Sequence, residues 1–355
     1  MRPAPLVRRI AQATQVAARR AAMSFANRAV ILLYHRVAEC RPDPHLLCVS
    51  PRHFAQHLEV LQRWGTPLAL RDLTVSLRAG RIPPRGVVVS FDDGYADNFS
   101  CALPLLERAQ VPAMIYASAG YAAGAGEPYI HGLERAILLR RDLPPEFGLR
   151  IGRTEYRWNS GTATREGATR TDWPVWPESA RERIYLEVCQ ILRGLTAGER
   201  ERAMQELRAQ LGAGPAVEEP RLMLSRDELR ALAAHPLVEI GSHALNHVVL
   251  ANLDRGAQAD EIRLGVQALQ DIVERKVESF AYPYGSPWDV GRQTIALARE
   301  LGLREACANT PGQVVPGSNP YWLPRFLVRD WDGFEFERRL RGFHRPQPAR
   351  EAARD

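Results

Sequence analysis

Residues 87–98 read VVVSFDDGYADN, an apolar run that ends in two adjacent carboxylates and a glycine. The apolar run predicts a buried strand. Asp92 and Asp93 would repel each other at its end, and a half-buried carboxylate is costly unless another group offsets its charge. Gly94 permits a sharp turn, so both carboxylates can reach the strand end. The stretch therefore predicts a polar site at the carboxyl end of a buried strand.

The segments around this strand alternate between strand and helix patterns. These segments lie at 29–38 (strand), 50–65 (helix), 97–110 (helix) and 112–118 (strand). Strands that alternate with helices predict a parallel sheet covered by helices. The alternation resumes after about residue 221, where Ser225 and Glu228 have the spacing of a capping box at a helix start. The fold class predicted is α/β.

The alternation is interrupted between about residues 121 and 220. This part is rich in Gly, Thr, Trp and Pro and is flanked by charged helical stretches. It is typical of an insertion on a sheet scaffold, which can act as a lid or a substrate wall. We predict a basic N-terminal segment (1–28), one α/β domain with this insertion (29–345) and a disordered tail (346–355).

The composition is that of a globular protein with a large core. The chain has 355 residues, 45% of them hydrophobic, and a net charge of +6. Its basic residues are interspersed with acids, which argues against a nucleic-acid partner. The basic N-terminal segment has no apolar run long enough for a signal peptide. It predicts a docked helix, with a peripheral membrane-surface helix as the alternative.

The five cysteines are odd in number, and no pair has CxxC spacing. This argues against a disulfide framework or a cysteine zinc site and favours a reducing compartment. Together with the lack of a signal peptide, it predicts a cytoplasmic protein, with the inner membrane surface as a peripheral location. No pattern in the sequence indicates the oligomeric state.

A second strand end carries GSHALNH, in which His243 and His247 are four residues apart. If the chain turns into a helix there, both imidazoles lie on one face. Two histidines and one carboxylate are a common metal-binding set. A bound cation would also explain the adjacent aspartates, because one would bind it while its neighbour stays ionised as a general base.

The motifs SFDDG, HALNH and AYPYG, in that order, resemble the first three motifs of the polysaccharide deacetylase domain (NodB-homology, carbohydrate esterase family 4). The resemblance spans roughly residues 29–120 and 221–345. It implies a distorted (β/α) barrel with fewer strands than a full eight-stranded one, with the long insertion between the first and second motif strands. It also implies a hydrolase that removes an N-acetyl group from a sugar in a polysaccharide, glycolipid or sugar precursor.

The resemblance assigns roles to five residues. Asp92 would be the general base, and Asp93, His243 and His247 would hold a divalent metal, usually zinc. The backbone N–H of Tyr284 would donate a hydrogen bond to the oxyanion.

The family's Leu-x-His motif, which supplies the acid, normally comes last. The late His344 lacks the leucine, whereas Leu33-Tyr34-His35 fits the motif near the start of the chain. The first and last strands of a closed barrel are neighbours, so this permuted order leaves the site unchanged. We predict His35 as the acid, with a purely structural hydrogen-bonding role as the alternative.

Two further positions depart from the family pattern. Ala244 stands where a serine or threonine usually follows the first metal histidine, which predicts the loss of a hydrogen bond and not of a ligand. The arginine that usually precedes Pro-Tyr and pairs with the base is absent, and we predict that Arg325 supplies this charge from another strand. These departures keep open the alternative of an inactive carbohydrate-binding relative. A hydrolase of another non-peptide amide is a further alternative, because the metal and the base do not distinguish between acyl groups.

Overall fold

The computed structural model describes residues 27–122, 127–160, 177, 179–212 and 222–346. The predictions for the N-terminal segment up to residue 26 and for the tail from 347 lie outside the described residues. The strands are β1 Ala29–Tyr34, β2 Arg36–Val37, β3 Cys48–Val49, β4 Thr66–Pro67, β5 Gly86–Phe91, β6 Ala113–Ala117, β7 Glu146–Ile151, β8 Thr154–Asn159, β9 Val238–Ser242, β10 Ser279–Ala281, β11 Glu305–Cys307 and β12 Phe326–Leu327.

Helices cover the outside of the sheet and build much of the inserted segment. They are α1 Pro51–Trp64, α2 Leu70–Arg78, α3 Leu103–Ala109, α4 Ala119–Ala122, α5 Tyr129–Leu133, α6 Ala180–Arg193, α7 Ala197–Leu211, α8 Arg226–Ala234, α9 Arg255–Val273, α10 Arg292–Glu300 and α11 Gly333–Phe343. One turn of π-helix (Asn98–Ala102) leads into α3, and another (Glu134–Leu138) follows α5. Ser225 and Glu228 form the predicted capping box of α8.

The main sheet is parallel and has the strand order β11-β10-β9-β6-β5-β1-β12, with β4 beside the start of β5. The sheet is curled, and the segment 323–327, which contains β12, contacts both β11 and β1. Cys307 at the end of β11 bridges Leu323, and Phe326 pairs with Leu32 of β1. The predicted α/β class and the distorted (β/α) barrel are confirmed.

The first strand of the chain lies between β5 and the last strand. All six residues of β1 pair with the six residues of β5, and Leu32 and Leu33 pair with β12. The carboxyl end of β1 is therefore beside that of β5, which places His35 next to the two aspartates, as the permuted order requires.

The strands are buried on both faces, which is why they read as continuous apolar runs. Val87, Val89 and Phe91 of β5 belong to an outer apolar cluster with residues of α1, whereas Val88 faces an inner cluster. The inner cluster also contains Met114 and Leu323, so the barrel interior is filled with side chains. This core fixes the strand ends that carry the polar residues.

The inserted segment has an apolar core of its own. The antiparallel hairpin β7–β8 packs with α6 and α7, and Phe147, Tyr185 and Leu207 lie in one buried cluster. The ends of α5 and α6 reach the mouth of the barrel. Among the described helices, none is long and apolar enough to span a lipid bilayer.

The cysteine prediction is wrong for one pair. Cys40 and Cys48 form a disulfide, with their Cα atoms 6.2 Å apart, while Cys101, Cys189 and Cys307 are free. The odd count excluded complete pairing but did not exclude a single bridge across a short loop. The strand β2, which precedes Cys40, pairs with β3, which contains Cys48, and this pairing brings the two cysteines together.

Candidate active site

Four strand ends of the main sheet bring six of the predicted residues to one cavity of about 390 Å³. His35, Asp92, Asp93, His243, His247 and Tyr284 all line this cavity. Arg325 stands at the start of β12 and reaches Asp92 from behind the cavity wall. The structure therefore brings together all seven residues singled out in the sequence.

The turn after β5 explains how two adjacent carboxylates face the same cavity. Asp93 and Gly94 have φ angles of 71° and 79°, so the chain leaves the strand geometry in which neighbouring side chains alternate. A Cβ atom on residue 94 would lie 2.8 Å from the Cβ of Ala117 on β6. Gly94 is therefore required both by its backbone angles and by the closeness of the next strand.

Arg325 and Asp92 form a buried, bidentate ion pair. Arg325 Nη1 and Nη2 donate to the two Asp92 oxygens at 2.7 and 2.6 Å, and the exposures of the two residues are 0% and 3%. Arg325 Nε also donates to the Ala308 carbonyl. Burial would raise the pKa of Asp92, but Arg325, together with His243 and His35, outweighs it and lowers that pKa below its ordinary value. Asp92 is thus held as a carboxylate in the cavity wall.

The other carboxylate, Asp93, lies between the two histidines. Its Oδ1 atom is 3.4 Å from His243 Nε2 and 3.2 Å from His247 Nε2, and the ligand atoms of the three residues all lie within 4.8 Å of one another. Asp93 Oδ1 is buried, yet it accepts no hydrogen bond of normal geometry from any described residue. Three ligand atoms that face one point, without a hydrogen bond of normal geometry between them, are suited to bind a divalent cation.

The orientation of His243 is fixed from the opposite side of its ring. Its Nδ1–H donates to the Ala281 carbonyl at 2.8 Å, which leaves Nε2 to face Asp93. Burial alone would lower the pKa of His243, but the carboxylates of Asp92 and Asp93 raise it above its ordinary value. A backbone carbonyl thus orients the ring, although Ala244 offers no side-chain hydroxyl.

The conditional prediction of a helix at 243–247 is wrong. This segment is an irregular loop in which Ala244 and His247 have φ angles of 62° and 50°. The two imidazoles still meet, with ring centroids 4.9 Å apart, because the loop folds back on itself. Spacing by four residues brought the rings together as predicted, but through a different backbone.

The helix α9 packs against this loop at a glycine. A Cβ atom on Gly265 would lie 2.6 Å from the carbonyl carbon of Ala244. Glu261, one turn earlier, accepts hydrogen bonds from the backbone N–H and the side-chain amide of Asn246. This face of α9 therefore sets the position of the loop that carries His247.

His35 lies at the end of β1, beside the aspartate pair. Its Nδ1 atom is buried and has no hydrogen-bond partner among the described residues, so a structural hydrogen bond through this atom is not observed. Burial lowers the pKa of His35, although Asp93 and Asp92 oppose this shift. The Asn98 side chain donates to the His35 carbonyl and holds the strand end.

Tyr284 lies in the turn after β10 and has a φ angle of 60°. Its ring is 4.7 Å from the His247 ring, and none of the hydrogen bonds between described residues is donated by its backbone N–H. On its other side, the guanidinium of Arg193 lies 4.6 Å from the ring and donates to the buried carboxylate of Asp289. A residue of the inserted segment therefore supports this turn.

The inserted segment contributes residues that the sequence reading missed. Tyr129, Ile130 and Arg193 line the cavity, and Arg200 of α7 contacts the loop that carries His247. For Arg200 a signal existed: it shares the apolar face of α7 with Met204 and Leu207. A charged residue on a buried helix face usually has a specific partner. For the other three, no local pattern points to this cavity.

Comparison with known proteins agrees with this geometry. Residues 205–306, which include the loop of the two histidines and the Tyr284 turn, match the polysaccharide deacetylase family model. The resemblance to polysaccharide deacetylases is thereby confirmed. The SFDDG stretch lies outside the matched residues, on the other side of the insertion. Among curated proteins, none matches the sequence.

Several solved structures, including two named as deacetylases, share the fold. The Streptococcus pyogenes deacetylase PplD, solved with acetate, is 15% identical with a TM-score of 0.54, over 90% of this chain and 100% of its own. IcaB from Ammonifex degensii is 17% identical with a TM-score of 0.56, over 90% and 98%. The deacetylase domain of BpsB from Bordetella bronchiseptica is 18% identical with a TM-score of 0.51, over 85% and 96%. At these identities the similarity establishes the fold.

Proposed function

We propose that the protein is a metal-dependent hydrolase that removes the acetyl group from an N-acetylated sugar. The observation that carries the proposal is the convergence of Asp93, His243 and His247 beside the ion-paired carboxylate of Asp92, at the wall of one cavity. The matched family model and the shared fold support sugar de-N-acetylation.

The cation would be held by Asp93, His243 and His247, and zinc suits this mixture of nitrogen and oxygen ligands. When bound, it supplies Lewis acidity for the attack of water on an acetamide. It would also provide a partner for Asp93 Oδ1, which is buried without a hydrogen bond.

Asp92 takes the proton from the attacking water in this proposal. Arg325 uses one lone pair on each carboxylate oxygen, and each oxygen keeps another that can accept a proton. The salt bridge keeps Asp92 ionised and fixes its orientation, which is what a general base requires. It also makes the carboxylate a weaker base than an unpaired one.

Two groups complete the reaction. The backbone N–H of Tyr284 donates to the oxygen that becomes negatively charged, and His35 gives a proton to the leaving amine nitrogen. The lowered pKa of His35 makes its protonated ring a stronger acid. The carbon–nitrogen bond breaks, a carbon–oxygen bond to the water oxygen forms, and acetate and a free amino sugar are released.

Metal content and acetate release test the proposal together. Elemental analysis should find about one divalent ion per wild-type chain, and Asp93→Ala and His243→Ala should lose it. Asp92→Asn should keep the ion but lose nearly all acetate release from a panel of N-acetylated mono- and oligosaccharides. Asp72→Asn, on the exposed face of α2, is the matched control and should change neither. An ion that persists in both ligand variants would contradict the site.

The same experiment separates the alternatives. A carbohydrate-binding relative would bind sugars without releasing acetate, and a hydrolase of another amide would act only on other members of a wider amide panel. The pairing of Arg325 with Asp92 favours an active enzyme, because the charge that the family motif usually supplies is present from another strand.

The location of the protein stays a prediction. Cysteines joined by a disulfide are typical of oxidising compartments, so the Cys40–Cys48 bond stands against the reducing compartment expected from the cysteine count. Trapping of thiols in intact cells, followed by fractionation, would decide between the cytoplasm, the inner membrane surface and an oxidising compartment.

A further inference from the structure

One buried arginine connects the inserted segment to the metal-ligand loop. Arg200, on α7, is 6% exposed. Its Nη1 donates to the His247 carbonyl at 3.0 Å, and its Nη2 donates to the Asn246 carbonyl at 2.5 Å. Its guanidinium lies 5.0 Å from the ring of Tyr129, which also belongs to the inserted segment. The fork of one side chain thus spans two successive carbonyls of the loop.

The loop needs such support because its backbone is strained. Ala244 and His247 both have positive φ angles, which non-glycine residues keep only where the surrounding structure holds them. On one side, Glu261 of α9 holds the Asn246 N–H and side chain. On the other side, Arg200 holds the carbonyls. Earlier in the loop, the backbone N–H groups of Ala119 and Gly120 donate to the Ala244 and Leu245 carbonyls. Arg200 acts further along, at the end that carries His247.

The charge of Arg200 is directed at the loop and not at an acid. Among the described residues, no carboxylate lies within 4.0 Å of its guanidinium, unlike Arg193, which is paired with Asp289. A buried guanidinium that has no carboxylate partner needs hydrogen bonds to replace those it would make with water, and the two carbonyls provide them. The two hydrogen bonds therefore stabilise Arg200 and the loop at the same time.

We propose that Arg200 is a positioning residue that holds His247 in its metal-binding conformation. The inserted segment is then part of the support of the metal site, and not only a wall of the cavity. This inference rests on the metal site of the proposed function. Partners behind metal ligands typically change metal affinity by about 10- to 100-fold when they are removed.

The test measures Zn²⁺ affinity of the full chain by competition with a chromogenic chelator. Arg200→Met should weaken Zn²⁺ binding by about 10- to 100-fold. Arg200→Lys should recover part of the loss, because a lysine ammonium keeps the charge but cannot span both carbonyls as the planar fork does. Arg202→Met, an exposed position on the same helix, is the matched control and should bind Zn²⁺ as the wild type does.

A second measurement separates positioning from general stability. In the His247→Ala background, Arg200→Met should change the residual Zn²⁺ affinity by less than about 2-fold, because the residue it positions is gone. A purely structural role predicts an equal loss in both backgrounds, which would overturn the proposal. So would wild-type affinity in folded Arg200→Met, judged by circular dichroism.

Two further outcomes keep the test decisive. If Arg200→Met does not fold, Arg200→Lys is read alone: an unchanged Zn²⁺ affinity with an unchanged visible spectrum of the Co²⁺-loaded protein overturns the proposal, and a weaker affinity with a shifted spectrum supports it. If the wild type itself binds no Zn²⁺, the proposed function fails first, independently of Arg200.

Discussion

Replacement of Arg325 by methionine should cost the protein a large part of its stability. The change leaves Asp92 buried at 3% exposure without its bidentate partner. At an effective dielectric constant near 20, two unit charges about 4 Å apart interact by ~4 kcal/mol. Loss of one partner of a buried pair typically costs about 3–5 kcal/mol. Folded domains have only ~5–15 kcal/mol in total, so the loss should be easily measured.

The assay is urea unfolding of metal-free protein, so that metal affinity does not contribute. Four proteins form the cycle: wild type, Arg325→Met, Asp92→Asn and the double variant. The double variant should lose at least ~2 kcal/mol less than the sum of the single variants, because no unpaired charge remains buried. Arg341→Met removes an exposed ion pair on α11 and should cost no more than about 0.5 kcal/mol. A coupling energy below about 0.5 kcal/mol between residues 92 and 325 would refute the reasoning.

Three further predictions concern other parts of the molecule. His57 is fully buried, and burial lowers its pKa to about 4 from an ordinary value near 6.5, so the unfolded chain binds a proton that the folded chain does not. Stability should therefore fall by about 3 kcal/mol as the pH drops from 7 to 4, and His57→Gln should lose this part of the slope in urea unfolding across that range. Gly265→Ala should destabilise the fold by about 1–3 kcal/mol and weaken Zn²⁺ binding, because a Cβ there would meet the backbone of Ala244. Gly302→Ala is the control and should leave Zn²⁺ binding unchanged, because its positive φ strains the backbone but nothing lies within 4 Å of the added Cβ. Thiol titration of the unfolded, unreduced protein should find three thiols, from Cys101, Cys189 and Cys307, and five after reduction.

Each of the three has an outcome that would count against it. An equal pH slope in wild type and His57→Gln would mean that the ring titrates normally in the folded state. Unchanged Zn²⁺ affinity in Gly265→Ala would show that the loop tolerates displacement by α9. Five thiols in the unreduced protein would exclude the disulfide.

The fold followed from the sequence because its strands are buried on both faces and end in polar residues. The apolar run of β5 and the one before His35 predicted strands that the structure contains, and their order predicted parallel pairing. The strand predicted around Arg325 contains β12, although only two residues of it are strand. The three residues of β11 gave no such signal, because so short a segment cannot show a periodicity. The position of β11 comes from its pairing in the curled sheet and not from local preference.

The site could be predicted only where a residue stands beside a recognisable pattern. Asp92, Asp93 and the two histidines follow apolar runs, so their place at strand ends could be read directly. The backbone of the 243–247 loop could not, because spacing by four residues does not distinguish a helix from a loop held by α9 and Arg200. Arg325 was predicted to lie near Asp92 because that carboxylate needs a positive charge beside it, and the arginine side chain does reach it. The role of each residue stays a prediction.

The pairing of β1 with β12 has a consequence for how the protein is made. Asp92 and Arg325 are 233 positions apart in the chain, so a nascent chain carries the aspartate long before it carries the arginine. Domains can begin to fold during synthesis, but this barrel cannot bury Asp92 at low cost until the segment before β12 has been added. A product of premature termination before residue 325 would therefore be left with an open barrel and an uncompensated charge in its wall. Quality control by proteases would find such chains easy to recognise, since the residue that completes the site directly precedes the strand that pairs with β1.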